Sequence, residues 1–189
     1  MTSQPAPVPA LKVAETTIPG VLILAPRVFG DARGFFLESY NERTMAEAGI
    51  RDRFVQDNHS FSVQGVLRGL HYQIGRPQGK LVRVVAGEIF DVVLDLRRGS
   101  PAFGTWFGTM LSGENKHMLW MPGGTAHGFC VRSENAHVLY KATDFYSPDD
   151  ERTILWNDPD LAIDWQMDNP VISAKDSQGL PFCQAVKFD

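Results

Sequence analysis

In Arg68-Gly69-Leu70-His71-Tyr72-Gln73, followed by Gln78-Gly79-Lys80, one imidazole lies between two cations within a stretch that reads as β-strand. An imidazole titrates near neutral pH, so it can take a proton from carbon if a neighbouring charge stabilises the anion left behind. The cations suit either an enolate oxygen or a phosphate. Ser173-Ala174-Lys175-Asp176 offers a carboxylate that could fix the ring in one tautomer and stabilise its charged form. The segment 139–148 offers two phenols, Tyr140 and Tyr146. Their even spacing puts them on one face of a strand running through both. Two tyrosines on one face ordinarily pack in a sheet core, but Asp144 on the same parity argues against an apolar face there.

Short β-type segments must position these groups: 21–24, 35–39, 54–58, 66–72, 81–85, 89–96, 106–111, 117–121, 128–132 and 137–146. Turn residues separate them at intervals of roughly ten, the rhythm of a β-sandwich or closed barrel rather than of βαβ units. One helix is predicted over 42–48, with Asn41 as N-cap and Gly49 behind its last turn. The part after Ser147-Pro148 mixes loop and helix in a proportion the pattern does not fix. Strict alternation over 66–72 sends Arg68 and His71 to opposite faces, and a bulge or twist at Gly69 could re-aim one of them into a shared pocket.

The 189 residues, 43% of them hydrophobic, can bury one sizeable core. A net charge of −4 argues against a general binder of nucleic acid, so any phosphate must be met by a few local Arg and Lys residues. Cys130 and Cys183 lack metal or redox spacing and read as a core residue and a tail thiol. The Pro-rich start has neither the basic nor the apolar region of a signal peptide, and no apolar run approaches a membrane span. The expectation is a flexible arm over 1–14, a single domain over 15–189, no membrane contact and a cytoplasmic location. No dinucleotide-binding or P-loop glycine motif occurs, which leaves cofactor-free acid–base chemistry.

Several separated motifs together resemble the dTDP-4-dehydrorhamnose 3,5-epimerase family. They are Gly30-Asp31-Ala32-Arg33-Gly34-Phe35-Phe36, Phe54-Val55-Gln56-Asp57-Asn58-His59-Ser60, 68–73, 78–82, 122–129, 139–148 and 173–176. The resemblance implies an all-β, cupin-like jelly roll with a few short peripheral helices. Pro122-Gly123-Gly124-Thr125-Ala126-His127 is similar to the second cupin motif, but His71-Tyr72-Gln73 lacks the second imidazole of the first, and Lys80 stands near its acidic position. A divalent metal is therefore not expected.

The resemblance implies that His71 is the proton-abstracting base with Asp176 as its partner, Tyr140 the proton donor from the opposite face, and Lys80 the cation beside the ketone oxygen. Tyr146 shapes the ring, and His127 contacts substrate. Arg33, Glu38, Gln56, Asp57, Asn58, Arg68, Glu151 and Lys175 contact nucleotide, sugar or diphosphate. His59 reads as a supporting neighbour, and His117 and His137 as structural or surface residues. The implied substrate is dTDP-4-dehydro-6-deoxy-D-glucose and no cofactor is needed, because the C4 ketone acidifies the hydrogens on C3 and C5. The implied assembly is a homodimer in which the segment before Arg33 adds a strand to its partner and brings Arg33 or Glu38 to the neighbouring pocket. The alternatives are a C3-only epimerase or 3,4-ketoisomerase of the same fold, and a non-catalytic cupin that binds a sugar nucleotide.

Overall fold

The computed structural model describes residues 10–189. Its strands are β1 (Leu11–Glu15), β2 (Leu22–Pro26), β3 (Val28–Asp31), β4 (Gly34–Leu37), β5 (Gln56–Val63), β6 (Leu67–Gln73), β7 (Lys80–Ala86), β8 (Glu88–Asp95), β9 (Trp106–Ser112), β10 (Met118–Met121), β11 (Thr125–Val131), β12 (Asn135–Ala142) and β13 (Glu151–Thr153). Two short helices, α1 (Glu42–Glu47) and α2 (Ala174–Ser177), complete the main elements. Six strands form one sheet in the order β1-β2-β10-β7-β12-β5, five form a second in the order β13-β6-β11-β8-β9, and β3 pairs with β4 as a separate hairpin. Among the described residues, no helix is long and apolar enough to cross a membrane.

Period-two alternation sorts the side chains into three cores. Val82, Val84, Ile89, Val93, Leu119, Phe129 and Val138 meet between the sheets. The next residues along the same strands point outward: Leu81, Met118 and Trp120 pack under Met45 of α1, and Phe90, Val92 and Leu94 pack under Ile154, Leu161 and Trp165 of the C-terminal third. Strand β8 is apolar on both sides because both sheet faces are covered. Asn41 caps α1 as expected, its side chain accepting from the amides of Arg43 and Thr44 at 3.0 and 3.3 Å.

Two expectations need correction. The last four residues of the expected arm, 11–14, belong to β1, which satisfies its backbone against β2 in the register Leu11 opposite Pro26; residues 1–9 lie outside the described residues. The predicted strand 137–146 ends at Ala142. There the Asp144 carboxylate accepts from the Phe145 amide at 2.7 Å, a local turn that takes the chain out of the sheet.

The bulge at Gly69 resolves the parity conflict. His71 stands opposite His127 on β11, but Arg68 stands opposite Phe129, so three steps on β6 match two on β11. The extra residue keeps Arg68 and His71 on the same inner face. Gly69 has φ +131°, and a Cβ there would lie 2.5 Å from the Gly128 Cα and 2.9 Å from the His127 carbonyl. Only glycine fits a backbone crossing this close.

Candidate active site

The inner faces of β6, β7, β11 and β12 line a cavity between the two sheets, and the turn after β12 together with Glu151 and Lys175 closes its side. Arg68, His71, Lys80, His127, Tyr140, Tyr146, Glu151 and Lys175, all expected site residues, line this one space. They come from separate stretches of sequence and meet because of sheet register.

His71 and Asp176 form its centre. His71 Nε2 lies 2.6 Å from Asp176 Oδ1, with the carboxylate almost wholly buried. Ser173 caps α2 by accepting from the Asp176 amide at 3.1 Å, which fixes the direction of the helix. Burial alone would raise the Asp176 carboxyl; hydrogen bonding and charge from His71, with hydrogen bonds from Ser173 and the Gly69 amide, override it and hold the group below its usual range. An ionised carboxylate can only accept, so Nε2 carries the hydrogen and the neutral ring offers its Nδ1 lone pair as a base.

Lys80 reaches across from the six-stranded sheet, its Nζ 3.3 Å from the His71 carbonyl. Burial lowers its pKa from 10.5 to about 8, against partial support from the charges of Glu151 and Asp91. Such an ammonium is strongly effective on a nearby developing anion, because little water screens it. Burial, and next the charge of Glu151, raises the Tyr140 phenol. That keeps it protonated as a proton donor, and among the described residues its hydroxyl has no hydrogen-bond partner. Tyr146 comes from the turn instead of the strand, yet it still reaches the cavity. Gln56 accepts from its amide at 2.9 Å, while Gln73 holds the same turn by accepting from Ser147 and donating to the Phe145 carbonyl. The Tyr146 hydroxyl donates to Glu151 at 2.8 Å and Lys175 donates to the other Glu151 oxygen at 2.6 Å.

Other expected residues sit elsewhere. Gln56 and Asn58 lie on the inner face of β5, with Asn58 opposite Tyr140. Asp57 lies between them and faces outward, paired with Lys141 at 2.9 Å. Three consecutive residues of a strand cannot share a face, so the Asp57 side chain does not line the cavity around His71. Arg33 is at the exposed tip of the β3–β4 hairpin, bound to Asp31, and Glu38 accepts from Asn41 at the start of α1. Neither lines the cavity of its own chain. His59 and His137 pair with each other at 3.0 Å on the outer face, away from the dyad.

Ser60 and Asp91 went unnoticed in the sequence. Ser60 lines the cavity with its hydroxyl buried and unpartnered among the described residues, and the alternation from Gln56 through Asn58 was the signal for it. Asp91 interrupts the apolar run of β8, and a carboxylate in a doubly buried strand is itself informative. Among the described residues no group of three or more His, Cys, Asp and Glu is placed to hold a metal ion.

A jelly roll of the cupin class with a His–Asp dyad, a phenol and a buried ammonium around one cavity defines an acid–base enzyme. The family model for dTDP-4-dehydrorhamnose 3,5-epimerase matches residues 15–184. The Pseudomonas aeruginosa enzyme of that name is 59% identical over 180 residues, covering 94% of this chain and 99% of the relative. A dTDP-4-dehydrorhamnose 3-epimerase from Streptomyces niveus is 41% identical, over 89% of this chain and 82% of its own. The crystal structure of a 3,5-epimerase from Legionella pneumophila, in complex with dTDP-4-keto-L-rhamnose, superposes with a TM-score of 0.89 at 50% identity, covering 92% of this chain and 94% of the other. This chain belongs to the dTDP-4-dehydrorhamnose 3,5-epimerase family and is an isomerase.

The buried ammonium generates a prediction about stability. The pKa of Lys80 is lower in the folded chain than in the unfolded one, so keeping it charged costs about 3 kcal/mol below pH 8. The cost fades as pH rises from about 8 towards the unfolded value near 10.5. Lys80→Met is expected to raise the melting temperature at pH 7 by roughly 6–12 °C while lowering kcat by about 10²- to 10³-fold. Calorimetry at pH 7 and pH 10 checks it, the gain shrinking at the higher pH. A lowered melting temperature at pH 7 would mean that the partners of Lys80 stabilise it by more than burial costs.

Proposed function

We propose that this chain inverts C3 and C5 of dTDP-4-dehydro-6-deoxy-D-glucose to give dTDP-4-dehydro-L-rhamnose, with no cofactor. The convergence of His71–Asp176, Tyr140 and Lys80 on one cavity carries the reading. His71 Nδ1 takes the proton from a carbon next to the C4 ketone, and the electron pair moves onto the ketone oxygen. Lys80 stabilises the enolate there, and Asp176 stabilises the imidazolium. Tyr140 returns a proton from the opposite face, which inverts the carbon. The ketone flanks both C3 and C5, so one set of groups serves both if the ring shifts between steps. Arg68 and Lys175 suit the diphosphate, and Gln56, Asn58 and Glu151 suit the sugar or nucleotide. Tyr146, held by Glu151, shapes the ring, and His127 meets the substrate.

A homodimer belongs to the same reading. Phe29, Phe35 and Phe36 of the β3–β4 hairpin are each at least half exposed, and β5 is a sheet edge with open backbone groups. A partner's hairpin docked there would cover these surfaces and carry Arg33 and Glu38 to the pocket mouth. Light scattering should give two chains of 21.0 kDa each; a purely monomeric mass at working concentration would contradict it. A cytoplasmic location fits a charged nucleotide-sugar substrate that does not cross a bilayer unaided.

In deuterated water with this substrate, deuterium should enter at both C3 and C5. His71→Asn should lower exchange at both by about 10²- to 10⁴-fold and leave dTDP binding measurable. Exchange confined to C3 would make the chain a C3-only epimerase, and near-normal exchange in His71→Asn would require another base.

A further inference from the structure

Asp91 is wholly buried at the centre of β8, on the inner face shared with Ile89 and Val93. An apolar residue would continue the core there, and a carboxylate in such a place is costly unless it is paired. Its one side-chain partner among the described residues is His127, whose Nε2 lies 2.8 Å from Oδ1, while Oδ2 is buried and unpartnered. Strand β11 lies between β8 and β6, so His127 stands directly opposite His71 and reaches Asp91 diagonally on its other side. The cavity therefore holds two imidazoles side by side, each tied at Nε2 to a buried carboxylate.

We propose that Asp91 is a positioning residue that holds His127 as a charged second donor, aimed through Nδ1 at the oxygen where the enolate charge develops. Lys80 serves that oxygen from the opposite sheet. The inference rests on the epimerase reading above and adds a residue and a role to it. The carboxylate accepts from Nε2–H and fixes the ring plane, which leaves Nδ1 for the cavity. The two dyads thus divide the work: Asp176 supports a ring that must gain and lose a proton, and Asp91 supports one that keeps its proton and donates a hydrogen bond. Two fixed donors meeting one oxygen from two sheets would stabilise the enolate without reorganising as the charge forms.

Two measurements test this. Nitrogen-15 NMR of the histidine rings at pH 7, which needs no turnover, should show His127 protonated at both nitrogens in the wild type and not in Asp91→Asn. A His127 ring with Nδ1 unprotonated in the wild type, or unchanged in the variant, overturns the proposal. In turnover, Asp91→Asn should lower kcat by about 10²-fold with KM for the dTDP-sugar within about threefold and dTDP affinity unchanged; a residue that only holds the fold would move all of these together. The double variant Asp91→Asn/His127→Asn should be no slower than His127→Asn alone, since the pair acts as a unit, and additive losses would overturn the proposal. If the wild type exchanges neither C3 nor C5, the epimerase reading fails, and the ring signature still decides the role of Asp91.

Discussion

The 2.6 Å hydrogen bond between His71 and Asp176 joins residues 105 positions apart, and much of the architecture serves to make it possible. His71 is held by β6, and Asp176 by a one-turn helix with too few hydrogen bonds to stand alone. The helix is placed by the packing of the C-terminal third on the outer face of the five-stranded sheet and by backbone bonds such as Leu67 N–H to the Val171 carbonyl at 2.9 Å. Trp165 and Ile154, packed on the outer face of that sheet, thus help to hold the carboxylate against the base.

Around that bond the cavity gathers buried polar groups whose removal from water is costly. Lys80, His127, Asp91 and Asp176 are all buried, and none fills space as well as an apolar residue would. Each is tolerated because another group compensates: Asp176 through His71, Ser173 and the Gly69 amide, Asp91 through His127, and Lys80 through the charges of Glu151 and Asp91. Pre-arranged charge is the form that transition-state stabilisation takes when the reaction creates an anion.

Most of the sheet was legible from the sequence because period-two alternation and turn residues mark strands locally. The N-cap at Asn41 was legible for the same reason. What failed depended on partners. β1 is a strand because β2 pairs with it, and nothing in its exposed residues announces this. Tyr146 reached the pocket by a route that the spacing did not suggest, since a turn set by Asp144 and Gln73 replaces the expected strand. Asp57 was grouped with Gln56 and Asn58, and alternation turns its side chain away from theirs to Lys141. The parity conflict at Gly69 was the most useful signal, because the demand that Arg68 and His71 share a face pointed to a bulge or twist there, and the register contains the bulge.

The central claim is that His71 and Tyr140 act on opposite faces of one sugar ring. It is tested most directly by following Tyr140→Phe by NMR in deuterated water with dTDP-4-dehydro-6-deoxy-D-glucose. Phe keeps the ring and its packing and removes only the hydroxyl. The account predicts that deuterium still enters while configuration is retained, because His71 can remove a hydrogen and return solvent deuterium to the same face. Inversion at the wild-type rate in Tyr140→Phe, with inversion lost in Tyr146→Phe, would contradict it and move the donor to the other phenol.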